Sequence, residues 1–149
     1  MIKVAIVDDN QINRITIKEK LAPYQDVLLV FEATNGEDFF DKLESLPKED
    51  YPQVVLMDLE MPILDGIVTI ASASIKFPEI KYIVLTIYED DDKIFEAIKA
   101  GASGYLLKED KAVNIVEAMK NVVQFDGIPM SPAIARRAME LLRDTPKPT

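Results

Sequence analysis

Five short apolar runs recur along this chain, and each is followed by an amphipathic stretch of helical period. The runs are Lys3 to Val7, Val27 to Phe31, Gln53 to Met57, Lys81 to Leu85 and Gly104 to Leu107. Each is the length of a strand, and Val54-Val55-Leu56-Met57 is apolar at four successive positions, as expected of a strand covered on both faces. Between them lie predicted helices over Gln11 to Ala22, closed by Pro23, and from Asn35-Gly36 with Phe39, Phe40, Leu43 and Leu46 on one stripe. A third follows Asp65-Gly66 with Ile67, Ile70, Ala71 and Ile75, and ends at Phe77-Pro78. The fourth runs from Asp90 to Ala100 and stops at Gly101, and the fifth runs from Lys111 to Val123 with Val113, Val116, Met119 and Val123 inward. Such alternation implies right-handed crossovers and a doubly wound five-stranded parallel sheet, an α/β fold.

That body closes near Phe125-Asp126-Gly127, so residues 1–127 form one domain and 128–149 a linker helix and tail. Ser131-Pro132 is a helix start, and Ile134, Ala138, Leu141 and Leu142 give the extra C-terminal helix an apolar stripe. The final DTPKPT has linker character. A chain of 149 residues can bury roughly two-thirds of its unfolded surface, which suits a single domain. The net charge of −9 argues against this chain gripping nucleic acid or an anionic membrane by itself, and the pair Arg136-Arg137 is too small a basic patch to change that. With no cysteine and no histidine, thiolate and imidazole metal sites, Ser-His catalysis and phosphohistidine are excluded within these residues. No targeting segment is visible, and Asp58, Glu60 and Asp65 interrupt the best candidate membrane span, so a cytoplasmic location is expected.

The third run meets a carboxylate, Asp58, where an unpaired buried charge would be costly. In an open parallel sheet, ligands bind beyond the carboxyl ends of the strands. Those ends carry Asp8-Asp9, Asp58, Thr86 and Lys108. Asp58 therefore faces a shared polar pocket. Crowded carboxylates without softer ligands suit Mg²⁺, which also keeps them ionised. A lysine and a hydroxyl suit phosphoryl oxygens, and a carboxylate can itself become an aspartyl phosphate. Asp58, central among these groups, is the best-placed nucleophile.

The pieces IVDD at 6–9, LMDLEMPILDG at 56–66, LT at 85–86 and GASGYLLK at 101–108 stand in this order, and together they are specific. Over residues 2 to about 125 the chain resembles the receiver domain of a two-component response regulator, a fold of flavodoxin-like strand order 2-1-3-4-5. The resemblance implies that Asp8, Asp9, Asp58 and the Glu60 backbone carbonyl ligate Mg²⁺. It implies that Asp58 accepts a phosphoryl group from a partner histidine kinase, that Thr86 and Lys108 bind that group, and that Thr86 and Tyr105 form a switch. The later GIPMSPAIARRAMELL is similar to the NarL/LuxR type, in which a helix-turn-helix output domain follows. Such a protein is a signalling switch rather than an enzyme, dimerises when phosphorylated, and reads DNA only through that C-terminal domain. Ile87 stands where the family often has alanine, which would narrow entry to the pocket, and Glu60 and Tyr88 hold positions that vary and tune dephosphorylation.

Other readings stay open at this level. Asp8-Asp9 could cap the first helix, Thr86 could be an ordinary strand residue, and Tyr105 could be a packed aromatic. Glu89-Asp90-Asp91-Asp92 is read as a solvated helix start and Asp65-Gly66 as a turn and cap. Rival functions are a stand-alone receiver acting by protein contact, a Mg²⁺-dependent phosphohydrolase with Glu60 as acid/base, and a flavin-binding flavodoxin-like protein. The last lacks a Gly/Ser/Thr-rich loop after the first strand.

Overall fold

A computed structural model describes residues 1–144; the DTPKPT segment named above lies, from Thr145 onward, outside the described residues. Five strands, β1 (Ile2–Val7), β2 (Val27–Ala33), β3 (Val54–Met57), β4 (Lys81–Thr86) and β5 (Gly104–Leu107), form one sheet in the order β2-β1-β3-β4-β5. All pairings are parallel. The crossovers carry α1 (Gln11–Leu21), α2 (Gly36–Glu44), α3 (Gly66–Lys76), α4 (Asp91–Ala100) and α5 (Ala112–Gln124), and α6 (Pro132–Asp144) follows. This is the doubly wound sheet and the strand order expected from the sequence.

Strand periodicity divides the core into two faces. Val55 and Met57 join Phe39, Leu43, Ile70, Ile94 and Ile134 on one side of the sheet. Val54 and Leu56 join Ile17, Leu85, Val116 and Met119 on the other. Each such side chain, removed wholly from water, contributes about 1.5–3 kcal/mol before chain entropy is counted. Polar residues define the helix starts. The Asn10, Asn35 and Asp65 side chains each accept the backbone N–H three residues on, capping α1, α2 and α3. Asp8-Asp9 is thus not the cap of α1. Gly101 ends α4 with φ of 108°, a left-handed conformation suited to glycine.

Some helix faces differ from the sequence reading. Val113 is half-exposed in the first turn of α5, and Ile115, Val116, Ala118, Met119 and Val122 take the inward face. On α3, Thr69, Ile70 and Ala73 point in, whereas Ala71 is exposed and Ile75 is 82% exposed. Leu46 lies beyond α2, and Leu142 on α6 faces solvent. In each case several apolar residues compete for one helix surface, and the neighbouring element selects which of them is covered.

Residues 129–131 lie along the outer edge of β5, where Met130 forms a parallel bridge with Tyr105. α6 then packs beside α4 with Ile134 fully buried, and Arg137 pairs with Asp91 at 3.2 Å. No helix among the described residues is long and apolar enough to cross a membrane.

Candidate functional site

The sheet ladder extends one residue past three strands, and this places the polar groups. The Asp8 N–H donates to the Ala33 carbonyl at 3.0 Å, Asp58 N–H to Val7 at 2.9 Å and Lys108 N–H to Thr86 at 2.9 Å. Asp8, Asp58 and Lys108 are therefore held in sheet register although each lies just outside its strand. From the other side, the start of α3 presses on the site. A Cβ on Gly66 would sit 1.9 Å from the Asp58 carbonyl oxygen, and the Gly66 N–H donates to Leu59 at 2.8 Å. The motif reads Asp65-Gly66 as a turn and cap; the glycine also permits the close approach that shapes the Asp58 loop.

Carboxylate oxygens of Asp8, Asp9 and Asp58 lie within 4.8 Å of one another. Asp8 and Asp58 are buried, and Asp9 is open to solvent. Lys108 Nζ stands 2.7 Å from Asp8 Oδ2 and 3.3 Å from Asp58 Oδ2. Asp8 Oδ1 accepts the Asn10 N–H at 2.9 Å, and Asp58 Oδ1 accepts the Leu59 N–H at 2.9 Å. Asp8 Oδ2, though close to the lysine, has no hydrogen bond of good geometry. Burial pushes the Asp58 carboxyl above its ordinary range and the Asp8 charge adds to this, while Lys108 pulls it back only in part. Three hard oxygens, one of them buried without a hydrogen bond, fit a small divalent cation that retains some of its water.

Thr86 is fully buried at the end of β4, and its Oγ1 is 3.5 Å from the Tyr88 nitrogen. Tyr105 is buried too, and its hydroxyl donates to the Tyr88 carbonyl at 2.7 Å. Both expected switch residues therefore touch the backbone of Tyr88. Burial raises the Tyr105 phenol pKa and keeps it a neutral donor. At the rim, the Glu60 carboxylate pairs with Lys93 at 2.9 Å and accepts the Tyr88 hydroxyl at 2.7 Å. The Lys93 ammonium and then the Tyr88 hydroxyl hold Glu60 below its ordinary value. Ile87 is exposed beside this rim. The acidic run at 90–92 is solvent-exposed at the start of α4, and among the described residues only Asp8, Asp9 and Asp58 cluster closely enough to share an ion.

Three basic residues in the site's support escape a sequence reading. Arg14 donates to the Asp8 carbonyl at 2.7 Å and pairs with Glu32. Lys20 donates to the carbonyls of Lys108 and Asp110. Lys93 secures Glu60. On amphipathic helices these are indistinguishable from solvated surface charge, and nothing in a local pattern marks them.

Residues 4–120 match the response regulator receiver domain family, and the chain belongs to it. It is 35% identical over 123 residues to the transcriptional regulatory protein DegU of Brevibacillus brevis, covering 83% of this chain and 50% of that protein. The fold is similar to the crystal structure of a LuxR-family two-component response regulator from Aurantimonas sp. SI85-9A1, with a TM-score of 0.84 at 24% identity over 95% of this chain and 98% of that one. It is also similar to a structure of two RcsB dimers bound to two parallel DNAs, with a TM-score of 0.84 at 23% identity over 99% of this chain and 71% of that one. At these identities the two structures speak for the fold alone. The chain spans about half the length of the curated relatives it matches.

Proposed function

We propose that this chain is a phosphorylation-dependent switch in which Asp58 accepts a phosphoryl group from a partner histidine kinase. The observation that carries this reading is the convergence of Asp8, Asp58 and the Lys108 ammonium within 3.3 Å contacts at the strand ends. Asp8, Asp9, Asp58 and the Glu60 backbone carbonyl are the ligands for Mg²⁺, which when bound neutralises the crowded carboxylates and the charge of the transferring group. Asp58 attacks phosphorus as the P–N bond of the donor phosphohistidine breaks, and the leaving imidazole is protonated. Lys108, held by Asp8 until then, swings its ammonium to a phosphoryl oxygen. The Thr86 hydroxyl serves another oxygen. Phosphate brings close to two negative charges, and the resulting pull on Thr86 reaches Tyr105 through their shared contact with Tyr88. The domain thereby catalyses its own phosphorylation and slow dephosphorylation.

Relatives named as transcriptional regulatory proteins, of which this chain spans about half, support a longer protein. In it, residues 1–127 are the receiver and 128–149 lead towards a DNA-binding output domain. The reading includes homodimerisation of the phosphorylated protein and a cytoplasmic location, both as the resemblance to the NarL/LuxR type implies. The phosphohydrolase reading is disfavoured by Glu60, whose carboxylate is ion-paired and kept ionised, the wrong state for a general acid. Incubation with Mg²⁺ and a small acyl phosphate, followed by intact mass, tests the proposal. The mass rises by one phosphoryl group, and Asp58→Asn abolishes the gain; undiminished labelling of that variant would remove Asp58 from the role.

A further inference from the structure

Ser131 precedes α6, and its sequence marks it as the N-cap of that helix. Its hydroxyl does something else. The Oγ accepts the Leu107 backbone N–H at 3.1 Å and donates to the Asp110 carboxylate. The same Leu107 N–H also approaches Asp110 Oδ2 at 3.3 Å. One buried hydroxyl therefore joins the residue just before Lys108 to the residue two beyond it. The backbone on either side is paired as well. Tyr105 N–H donates to the Pro129 carbonyl at 3.0 Å, and Ser131 N–H donates to the Tyr105 carbonyl at 3.1 Å.

Downstream, Ile134 is fully buried in the core face that contains Ile94 and Tyr105. α6 cannot leave that face without drawing on Ser131, and Ser131 cannot leave without taking one acceptor from the buried Leu107 N–H and the hydroxyl donor from the Asp110 carboxylate beside Lys108. Lys108 has no proline after it to stiffen the turn, since Glu109 and Asp110 follow. The turn instead takes its shape from Asp110 and Ser131 on the β5 edge.

Accepting Asp58 as the phosphoryl acceptor, we infer that Ser131 and Asp110 are positioning residues for Lys108 and couple the docking of α6 to occupancy of Asp58. The coupling is reciprocal. If docked α6 holds the Lys108 turn in the geometry that meets a phosphoryl group, then a phosphoryl group on Asp58 tightens the docking of α6 by the same free energy. The occupancy of the site is thereby conveyed to the residues that lead out of the domain.

The test uses the whole chain with Mg²⁺ and beryllofluoride, a phosphoryl mimic. Its readouts are the apparent Kd for beryllofluoride from tyrosine fluorescence and amide exchange over residues 129–142. In the wild-type protein, beryllofluoride slows exchange in that segment. Ser131→Ala weakens beryllofluoride binding about fivefold, the low end of ordinary coupling between sites, and abolishes the slowing. Ser131→Thr, which retains a hydroxyl, restores both. Should Ser131→Ala fail to fold, Asp110→Asn reads the same link through a weaker acceptor. Faster exchange in Ser131→Ala, with unchanged beryllofluoride affinity and an unchanged response, would make Ser131 a structural residue only and overturn the proposal. Absence of beryllofluoride binding by the wild-type protein would instead overturn the Asp58 reading, and the coupling with it.

Discussion

The Lys20 ammonium lies 2.8 Å from the carbonyl oxygen of Lys108, across 88 positions of chain. It donates to the Asp110 carbonyl as well, at 3.0 Å. One side chain from the last turn of α1 thus ties down the turn that carries the site lysine. Among the described residues Lys20 makes no ion pair, so these two carbonyls are what it holds.

Lys20→Met should therefore disturb the site more than the fold. Charge-assisted hydrogen bonds contribute about 1.5–3 kcal/mol where buried and less where water competes, so the loss of stability should be about 1 kcal/mol. Phosphorylation by an acyl phosphate should slow roughly three- to tenfold as Lys108 samples more positions. Stopped-flow labelling beside a thermal melt separates the two effects. A variant that melts earlier but is phosphorylated at the wild-type rate would confine Lys20 to a structural part.

Asp58→Asn should raise the melting temperature in metal-free buffer at neutral pH. The native carboxyl titrates above its unfolded value, chiefly through burial, so the folded state binds the proton more tightly than the unfolded chain does. Its unfavourable contribution is absent below the unfolded pKa and develops as pH rises through the folded one. The advantage of the asparagine variant should thus shrink as the pH falls towards the ordinary carboxylate range. Melting curves of both proteins with chelator, from acid to neutral pH, give the answer, and a constant difference would contradict it.

Gly66→Ala places a methyl group where the Asp58 carbonyl already stands, 1.9 Å from the built Cβ. Because the obstacle is backbone, the cost should be about 2–3 kcal/mol, at the upper end for overpacking. Any folded fraction should bind Mg²⁺ and accept phosphate poorly, since relief comes only by moving the Asp58 loop. Denaturant titration and Mg²⁺ binding measure both. Near-wild-type values would show that α3 can retreat instead.

Ile63 in the β3–α3 loop has a φ of 68° and is 77% exposed. A β-branched residue in left-handed backbone is strained, and asparagine tolerates that region. Ile63→Asn should stabilise the protein by about 1 kcal/mol and leave phosphorylation intact. Equilibrium denaturation decides it, with a lower midpoint counting against strain at this position.

Much of the fold and the site was legible because both are written in local chemistry. Apolar runs of strand length separated by helix-period stretches admit few folds besides a doubly wound parallel sheet. A strand that runs into Asp58, or into Asp8-Asp9, must end where water or a ligand can meet the charge. The sequence therefore determined the strands, the helices and the rim on which Asp8, Asp9, Asp58, Thr86 and Lys108 gather. Tertiary structure decided the rest. Whether Val113, Ile75 or Leu142 is covered depends on which element packs opposite, and a helix period is silent on its neighbours. Lys20 at Lys108, Lys93 at Glu60 and Ser131 at Leu107 are contacts between residues far apart in sequence. Their partners are fixed by strand order and register, and a charge or hydroxyl carries no local sign of the group it will meet.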